Sequence, residues 1–443
     1  MGGNRIEILN CFFMDKYLLD FPFYIEASDT KSTLDSEILR LVNDYGTPFY
    51  LFHEKDFCEN FQSLCDSFRA VYDNYIPSYS YKTNYTPYIC NLVKQMGGYA
   101  EVVSDMEYTL AKRLGYPDCQ IIYNGPCKGR CMEEHILNGG ISNIDSEDEA
   151  LRVVEIARIH PNKIIKVGIR VNMDIGAGYI SRFGLEKDGE SFQRTIDLLK
   201  ACGNIVLSGV HCHISRARGL EAWQNRIDGL LDVVSDYFDG TIDYVDVGSG
   251  MFGQMDPSLS TQFGDNVPTY DDYAHVVAGT MAQFFSGSER KPILFSEPGT
   301  TLISKFISLA TRVDNIKSIR GKQFATVDSC YYNAGEICKF KEVPYRVVHS
   351  EGSVNANYSS GGIDVMGYTC LEQDCLYRDF KEPISVNDIL LFGNVGGYSI
   401  VSKPPFIQPD CPMLCYSQDG TIKVIKRAET FDDVFNTFRT EKQ

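Results

Sequence analysis

A lysine follows the apolar run SYSY at 78–81, and that position suits covalent chemistry. An amine at the end of an apolar strand is partly desolvated, which favours its neutral, nucleophilic form. Lys82 is thus a candidate Schiff-base former, against the plainer reading of a surface lysine at a strand end. Two histidines stand two apart in HCH, at His211 and His213. On a strand both point to one face. That suits a metal site, or a single ring-stacking or acid–base histidine. VDVGSGMFG (245–253) joins a strand to a Gly-x-Gly turn at Gly248, Ser249 and Gly250. Backbone N–H groups exposed in such a turn can cradle a phosphate. With no clear helix after it, the run is a poor dinucleotide fingerprint. SEPGT (296–300) sets Glu297 at a strand end, just before Gly299. A carboxylate buried there needs a cationic or proton-donating partner, and one left exposed simply caps a turn. GYTCLEQD (367–374) offers Cys370 as a nucleophile or proton donor, although packing is the default for any one of fifteen cysteines.

These residues need elements to hold them. Short apolar or aromatic runs recur at 78–83, 99–104, 120–125, 140–145, 164–171, 206–213, 241–248 and 292–299. Helical patterns at 84–97, 105–115 and 148–159 lie between several of them. Strand–helix alternation over this span predicts parallel β/α units, and eight strands predict a closed (β/α)8 barrel, with a doubly wound open sheet as the rival. In such a barrel, function sits at the C-terminal ends of the strands. Lys82, Glu101, Asn124, Arg170, His211, His213, Asp246 and Glu297 all fall there. From about 310 the runs are strand-like without helical spacers, which predicts a second, mostly β domain. The expected division is a lead-in at 1–44 that contributes to the β domain, a barrel at 45–310 that includes PFYLFH (48–53), and a β-rich domain at 311–443.

The formal net charge of −17 supplies no basic footprint for nucleic acid. No run of eighteen uncharged apolar residues predicts a membrane span. The opening MGGNRIEILN does not read as a signal peptide, because charged and polar residues break its apolar stretches. Scattered cysteines without paired CxxC motifs point to free thiols in a reducing, cytoplasmic setting.

Taken in order, the segments from about 45 to 405 resemble the fold-type III decarboxylases that depend on pyridoxal 5′-phosphate (PLP), the alanine-racemase-like group. Diaminopimelate, ornithine, arginine and carboxynorspermidine decarboxylases belong to it. The resemblance implies a barrel plus a β domain, and it implies a role for each matching residue. Lys82, in SYKTN, would hold the cofactor covalently. His213, in HCHIS, would stack on the pyridine ring. Gly248, Ser249 and Gly250 would lie near the phosphate. Glu297, with Gly299 in the same turn, would pair with the ring nitrogen. Arg170 in GIRVN and the RFGL stretch match the strand before the histidines. Tyr398, in GGY, would reach the phosphate. Cys370 or Lys82 would return a proton to Cα after CO2 leaves. The family usually works as a head-to-tail homodimer, so Cys370 and its neighbours would serve the other subunit's site.

The departures bear on the substrate. Thr300 stands where the family has an arginine, and Arg216 stands where it has a small serine. The two changes suggest that Arg216 supplies the missing charge. Leu371 replaces the acidic residue after the cysteine, with Glu372 one place along and Asp374 beyond. On a strand, Leu371 and Glu372 would face opposite ways. KEVPY keeps Tyr345 and puts Lys341 in place of an arginine that helps to hold a substrate carboxylate. These changes imply a small amino-acid substrate with an altered distal end, and a specialised biosynthetic pathway. Three readings compete: a racemase of the same fold, a catalytically silent relative, and a metal hydrolase built on HCH. Glu297 argues against the first, and the retained Lys82 and Cys370 against the second. No metal is expected.

Overall fold

The computed structural model describes residues 30–238, 242–350 and 362–439. Residues 1–29 of the expected lead-in lie outside them. The chain divides into two compact units. One takes in the chain up to 57, 255–265, and 304 onward. The other comprises 58–254 and 266–303.

The second unit is a closed barrel of eight parallel strands: β1 (Tyr75–Ser80), β2 (Tyr99–Val102), β3 (Ile121–Tyr123), β4 (Ile141–Ile144), β5 (Ile165–Asn172), β6 (Ile205–His211), β7 (Tyr244–Asp246) and β8 (Ile293–Ser296). Each overlaps one of the eight apolar runs, although the first begins three residues before its run. Closure comes from β1 pairing with β8 (Tyr75 opposite Leu294) and from β4 pairing with β5 (Asn143 opposite Gly168). The strands are short and almost wholly buried, as expected when helices cover the outside of a parallel sheet.

Local sequence starts the helices after β2 and β4. Ser104 and Ser146 each cap a helix by accepting the N–H three residues on, from Glu107 and Glu149. Those glutamates reach back to the N–H groups of Val103 (2.7 Å) and Asp145 (2.8 Å). The S-x-x-E signature thereby fixes the loop that leaves each strand as well as the helix start.

The first unit holds a nine-stranded mixed sheet. Its core gathers Leu34, Ile38 and Leu41 of the helix Thr30–Tyr45 with Phe49, Leu51, Ala310, Ile389, Leu391 and Leu414. Here the expected boundaries need correction. Strand Phe49–His53, assigned to the barrel on sequence, lies in this sheet. It pairs antiparallel with Ile307–Ile319 and parallel with Met413–Tyr416. The barrel closes on itself without it, so its two edges are satisfied only here. Segment 255–265 also belongs to this unit: Lys341 Nζ donates to Gln262 O (2.5 Å), and Gln262 Nε2 to Glu342 O (2.8 Å).

Candidate active site

The C-terminal ends of the barrel strands bring Lys82, Glu101, Asn124, His211, His213, Asp246 and Glu297 into one mouth. Lys82 rides on a single 3-10 turn, Tyr81–Thr83, directly after β1. Its Nζ lies 2.5 Å from Glu101 Oε2, which also accepts from Ser80 Oγ at 2.6 Å. Gly299 lets this turn meet the loop that follows β8. A Cβ at 299 would stand 2.1 Å from Thr83 Oγ1. The two loops are also tied by Ser80 N donating to Pro298 O (3.2 Å).

Glu297 is buried and its Oε1 is held from two sides. Asn124 Nδ2 donates to it, and His211 Nε2 lies 3.3 Å away. Burial opposes the charge on Glu297, but His211, Lys82 and His213 outweigh it and hold the carboxyl below its usual range. Asp246, at the end of β7, moves the other way. Burial raises it, and the adjacent Glu297 raises it further. One of these two neighbouring acids thus carries the charge and the other the proton. Burial also lowers His211 and His213, the latter helped by the positive Lys82, while the Glu297 charge pulls both the other way.

HCH does not present one face. β6 ends at His211, whose ring turns to Glu297, while His213 lies past the strand and its Nδ1 accepts from Ser249 N (3.0 Å). Cys212 N still donates to Asp246 O on β7 (3.0 Å), so the backbone leaves the ladder between the two histidines. Among the described residues, the convergent His/acid cluster is His211, Asp246 and Glu297, and it omits His213. Arg170, on β5, donates to Asp145 Oδ1 (3.0 Å) and to the carbonyl of His213 (3.3 Å). It therefore braces the histidine loop.

The glycine turn fits an anion. Arg226, fully buried in the helix Leu220–Tyr237, donates to the carbonyls of Val247 (2.9 Å), Ser249 (3.0 Å) and Ile214 (2.8 Å). In a trans peptide the N–H opposes the C=O, so the Gly250 N–H points away from Arg226. The Ser249 hydroxyl beside it is buried and has no hydrogen-bond partner, an orphan donor suited to a phosphate. Gly248 has φ +60°, and a Cβ there would come within 2.7 Å of His213 Cβ, so the turn packs directly against the histidine. An amine, an imidazole held by the turn, a buried carboxylate and a turn with an orphan hydroxyl would suit PLP, and the residues present fit it.

Apart from Arg216, which is on the barrel unit, the remaining expected residues lie in the first unit. Cys370 is exposed. Leu371 and Glu372 sit in a turn between strands Ile363–Met366 and Cys375–Phe380, so the expectation that a strand splits them onto opposite faces is corrected. Asp374 is buried and braces that turn, accepting from Tyr331 N (2.8 Å), Thr369 N (3.0 Å) and Thr369 Oγ1 (2.6 Å). Tyr345 packs against the rings of Tyr377 and Phe380. Tyr398 adopts φ +56° and is 38% exposed. Arg216, φ +70°, is exposed on the loop after β6. Sequence reasoning missed Arg226, Asn143 and Tyr244. The last two are polar groups inside barrel strands, and that placement was the signal available.

Residues 58–304, more than half the chain, match the family described as pyridoxal-dependent decarboxylase, pyridoxal binding domain. The diaminopimelate decarboxylase of Methanothermobacter thermautotrophicus is 25% identical over 430 residues, covering 93% of this chain and 96% of the relative. The L-glutamyl-[BtrI acyl-carrier protein] decarboxylase of Niallia circulans is 24% identical, covering 91% and 96%. In fold, the chain is similar to the crystal structure of diaminopimelate decarboxylase from M. jannaschii in complex with L-lysine, with a TM-score of 0.78 at 23% identity and coverage of 91% and 95%. A match of this extent, running through the barrel that carries the lysine, the acid and the donor turn, places the chain in the fold-type III family of PLP-dependent amino-acid decarboxylases.

Proposed function

We propose that the protein decarboxylates a small amino acid in the manner of diaminopimelate decarboxylase, with altered recognition of the substrate's far end, in a specialised biosynthetic pathway. The observation that carries this reading is Glu297, held as an anion in the same mouth as Lys82. When bound, PLP supplies an electron sink for the pair left at Cα as CO2 departs. Lys82 holds the cofactor. Glu297 keeps a proton on the ring nitrogen, which deepens the sink. His213, pinned by Ser249, covers one ring face, and Arg170 acts through the carbonyl of His213. Ser249 and the Gly248–Gly250 turn receive the phosphate. An anionic Glu297 supports decarboxylation over racemisation, which needs an arginine at that place.

Cys370, exposed on the β unit, returns the proton to Cα. In a homodimer with shared sites it serves the neighbouring subunit's barrel, and Tyr398 reaches the phosphate there. Lys341, Tyr345 and the turn bearing Leu371 and Glu372 read the distal end. Among relatives whose names span a diamino acid and a carrier-bound glutamyl group, the Leu371 and Lys341 departures support an unusual distal group.

The test is an absorbance spectrum of the purified protein, repeated after borohydride reduction and peptide mapping. A band near about 420 nm that reduction fixes onto Lys82 is the expected result. CO2 release from a panel of diaminopimelate, lysine, ornithine, arginine and glutamate then names the substrate class. No band after PLP is added would overturn the reading.

Arg216 gives a sharper prediction. If it replaces the charge that Thr300 lacks, Arg216→Ala weakens PLP binding about tenfold, as expected for loss of one charge-assisted contact. Fluorescence titration of the apoprotein measures it, and unchanged affinity removes Arg216 from the phosphate site.

A further inference from the structure

We propose that Tyr244, Asn143 and Asn124 form a directional hydrogen-bond chain that holds Glu297 in place as an anion, with Tyr244 as its remote positioning residue. Tyr244 OH, on β7, donates to Asn143 Oδ1 on β4 (2.7 Å). Asn143 Nδ2 donates to Asn124 Oδ1 at the end of β3 (2.9 Å). Asn124 Nδ2 donates to Glu297 Oε1 beyond β8. All four side chains are buried.

The direction follows from the last link. An ionised carboxylate only accepts, so the Asn124 NH2 must face Glu297. Asn124 Oδ1 is then left to accept from the Asn143 NH2, and Asn143 Oδ1 to take the phenol's proton. Hydrogen bonds donated along a chain strengthen one another, and donors that end on a carboxylate favour its charged form. Tyr244 cannot reverse the chain by ionising, because burial, then the acids Asp246, Asp243 and Glu297, raise its phenol well above the usual value.

A second observation supports the chain independently. Two barrel strands give up their side chains to make room for it. A Cβ on Gly168 of β5 would stand 2.1 Å from Tyr244 OH and 2.3 Å from Asn143 Oδ1. A Cβ on Gly209 of β6 would stand 2.2 Å from the Tyr244 ring. The interior of a small barrel is normally filled by branched side chains. Here two glycines leave the space that the phenol and Asn143 fill.

Tyr244→Phe removes the first donor and keeps the ring. Asn143→Leu breaks the middle of the chain at similar volume. The other groups that face Glu297 stay as they are: His211 on β6, Asp246 on β7, Lys82 and His213 on the following loops, Glu101 on β2 and Arg170 on β5. Any change in Glu297 is therefore due to the chain. A less stabilised anion takes up a proton at higher pH, so PLP affinity is lost sooner as the pH falls. We expect both variants to raise the PLP dissociation constant about tenfold at neutral pH, to shift the acid limb of binding upward, and to leave the apoprotein's Tm within a few degrees. The double variant should do no more than either alone, as for members of one chain. Unchanged affinity and an unchanged acid limb in a folded Tyr244→Phe overturn the proposal, and Asn143→Leu decides it if Tyr244→Phe does not fold. The proposal rests on Glu297 as the ring-nitrogen partner. If Glu297→Gln has no effect on the cofactor, that reading fails. If Glu297→Gln acts and Tyr244→Phe does not, only the chain fails.

Discussion

Replacing Lys82 with alanine abolishes covalent capture of PLP and lowers turnover by at least about a thousandfold, the scale expected when a covalent catalyst is removed. After borohydride treatment and gel filtration, the wild-type band stays with the protein, whereas the variant's cofactor elutes separately. The geometry adds a second consequence. Lys82 Nζ is 2.5 Å from Glu101 Oε2, and Glu101 is 1% exposed. Without the amine, a buried carboxylate is left with the Ser80 hydroxyl. Removing one partner of a buried pair costs several kcal/mol, but Lys82 is 30% exposed, so a loss of about 2 kcal/mol in the apoprotein is the discounted expectation. Adding Glu101→Gln removes the stranded charge and restores most of that stability without restoring turnover. Urea unfolding of the apoproteins separates the two effects. If Lys82→Ala keeps wild-type turnover, the lysine is not the attachment point. The same variant tests shared sites. In an equal mixture of Lys82→Ala and Cys370→Ala chains reassociated at random, half the dimers are heterodimers with one intact site each, so about a quarter of wild-type activity returns if each site draws on both subunits. Independent sites recover none.

The barrel was legible because its strands are near-continuous apolar runs, each followed by helix-length sequence, and a sheet covered on both faces leaves that signature. Lys82, His213 and Glu297 were legible for the same reason: once a barrel is read, its C-terminal strand ends are the place to look. What sequence could not supply was partnership. Phe49–His53 is as apolar as any barrel strand, and nothing local says that its neighbours are Ile307–Ile319 and Met413–Tyr416. HCH reads as one strand face, yet the ladder ends at His211 and Ser249 turns His213 aside. Leu371 and Glu372 lie near strand-like sequence, but Asp374 folds their segment into a turn by collecting three donors. Arg226 falls on the apolar stripe of its helix, three residues after Trp223 and four before Leu230, where an arginine's charged head is ordinarily expected to reach back to solvent. Instead it stacks on Trp223 and collects three carbonyls, so its placement depends on residues distant in sequence.

Glu297→Gln separates holding the cofactor from using it. The amide keeps the shape of the carboxylate and can still meet Asn124, but it carries no charge to hold a proton on the ring nitrogen. Borohydride should still fix PLP onto Lys82 in this variant, although binding weakens. The rate of CO2 release should fall by about 10²–10³, the usual scale for losing one preorganised electrostatic partner of developing charge. The loss falls on kcat more than on KM, because the pairing matters most as the electron pair leaves Cα. The pH dependence has a definite sign. Burial opposes ionisation of Glu297, but the stronger pull of His211, Lys82 and His213 holds its pKa below that of a free carboxyl. A depressed acid contributes stability above its unfolded pKa, about 4.3, and loses it only as the pH falls toward the folded value. Throughout the neutral range Glu297 is therefore an anion, and its contribution to wild-type kcat is flat there. The variant should be slower by a constant factor across that range, with no rescue at either end. Asp246 offers no substitute, since burial and then the adjacent Glu297 charge push its carboxyl up, away from the charged form. A Glu297→Gln protein with wild-type kcat would assign the ring nitrogen to another group and reopen the choice between decarboxylation and racemisation. A variant that cannot be loaded at all would instead make Glu297 a binding residue first, and measuring the PLP dissociation constant alongside kcat tells these outcomes apart.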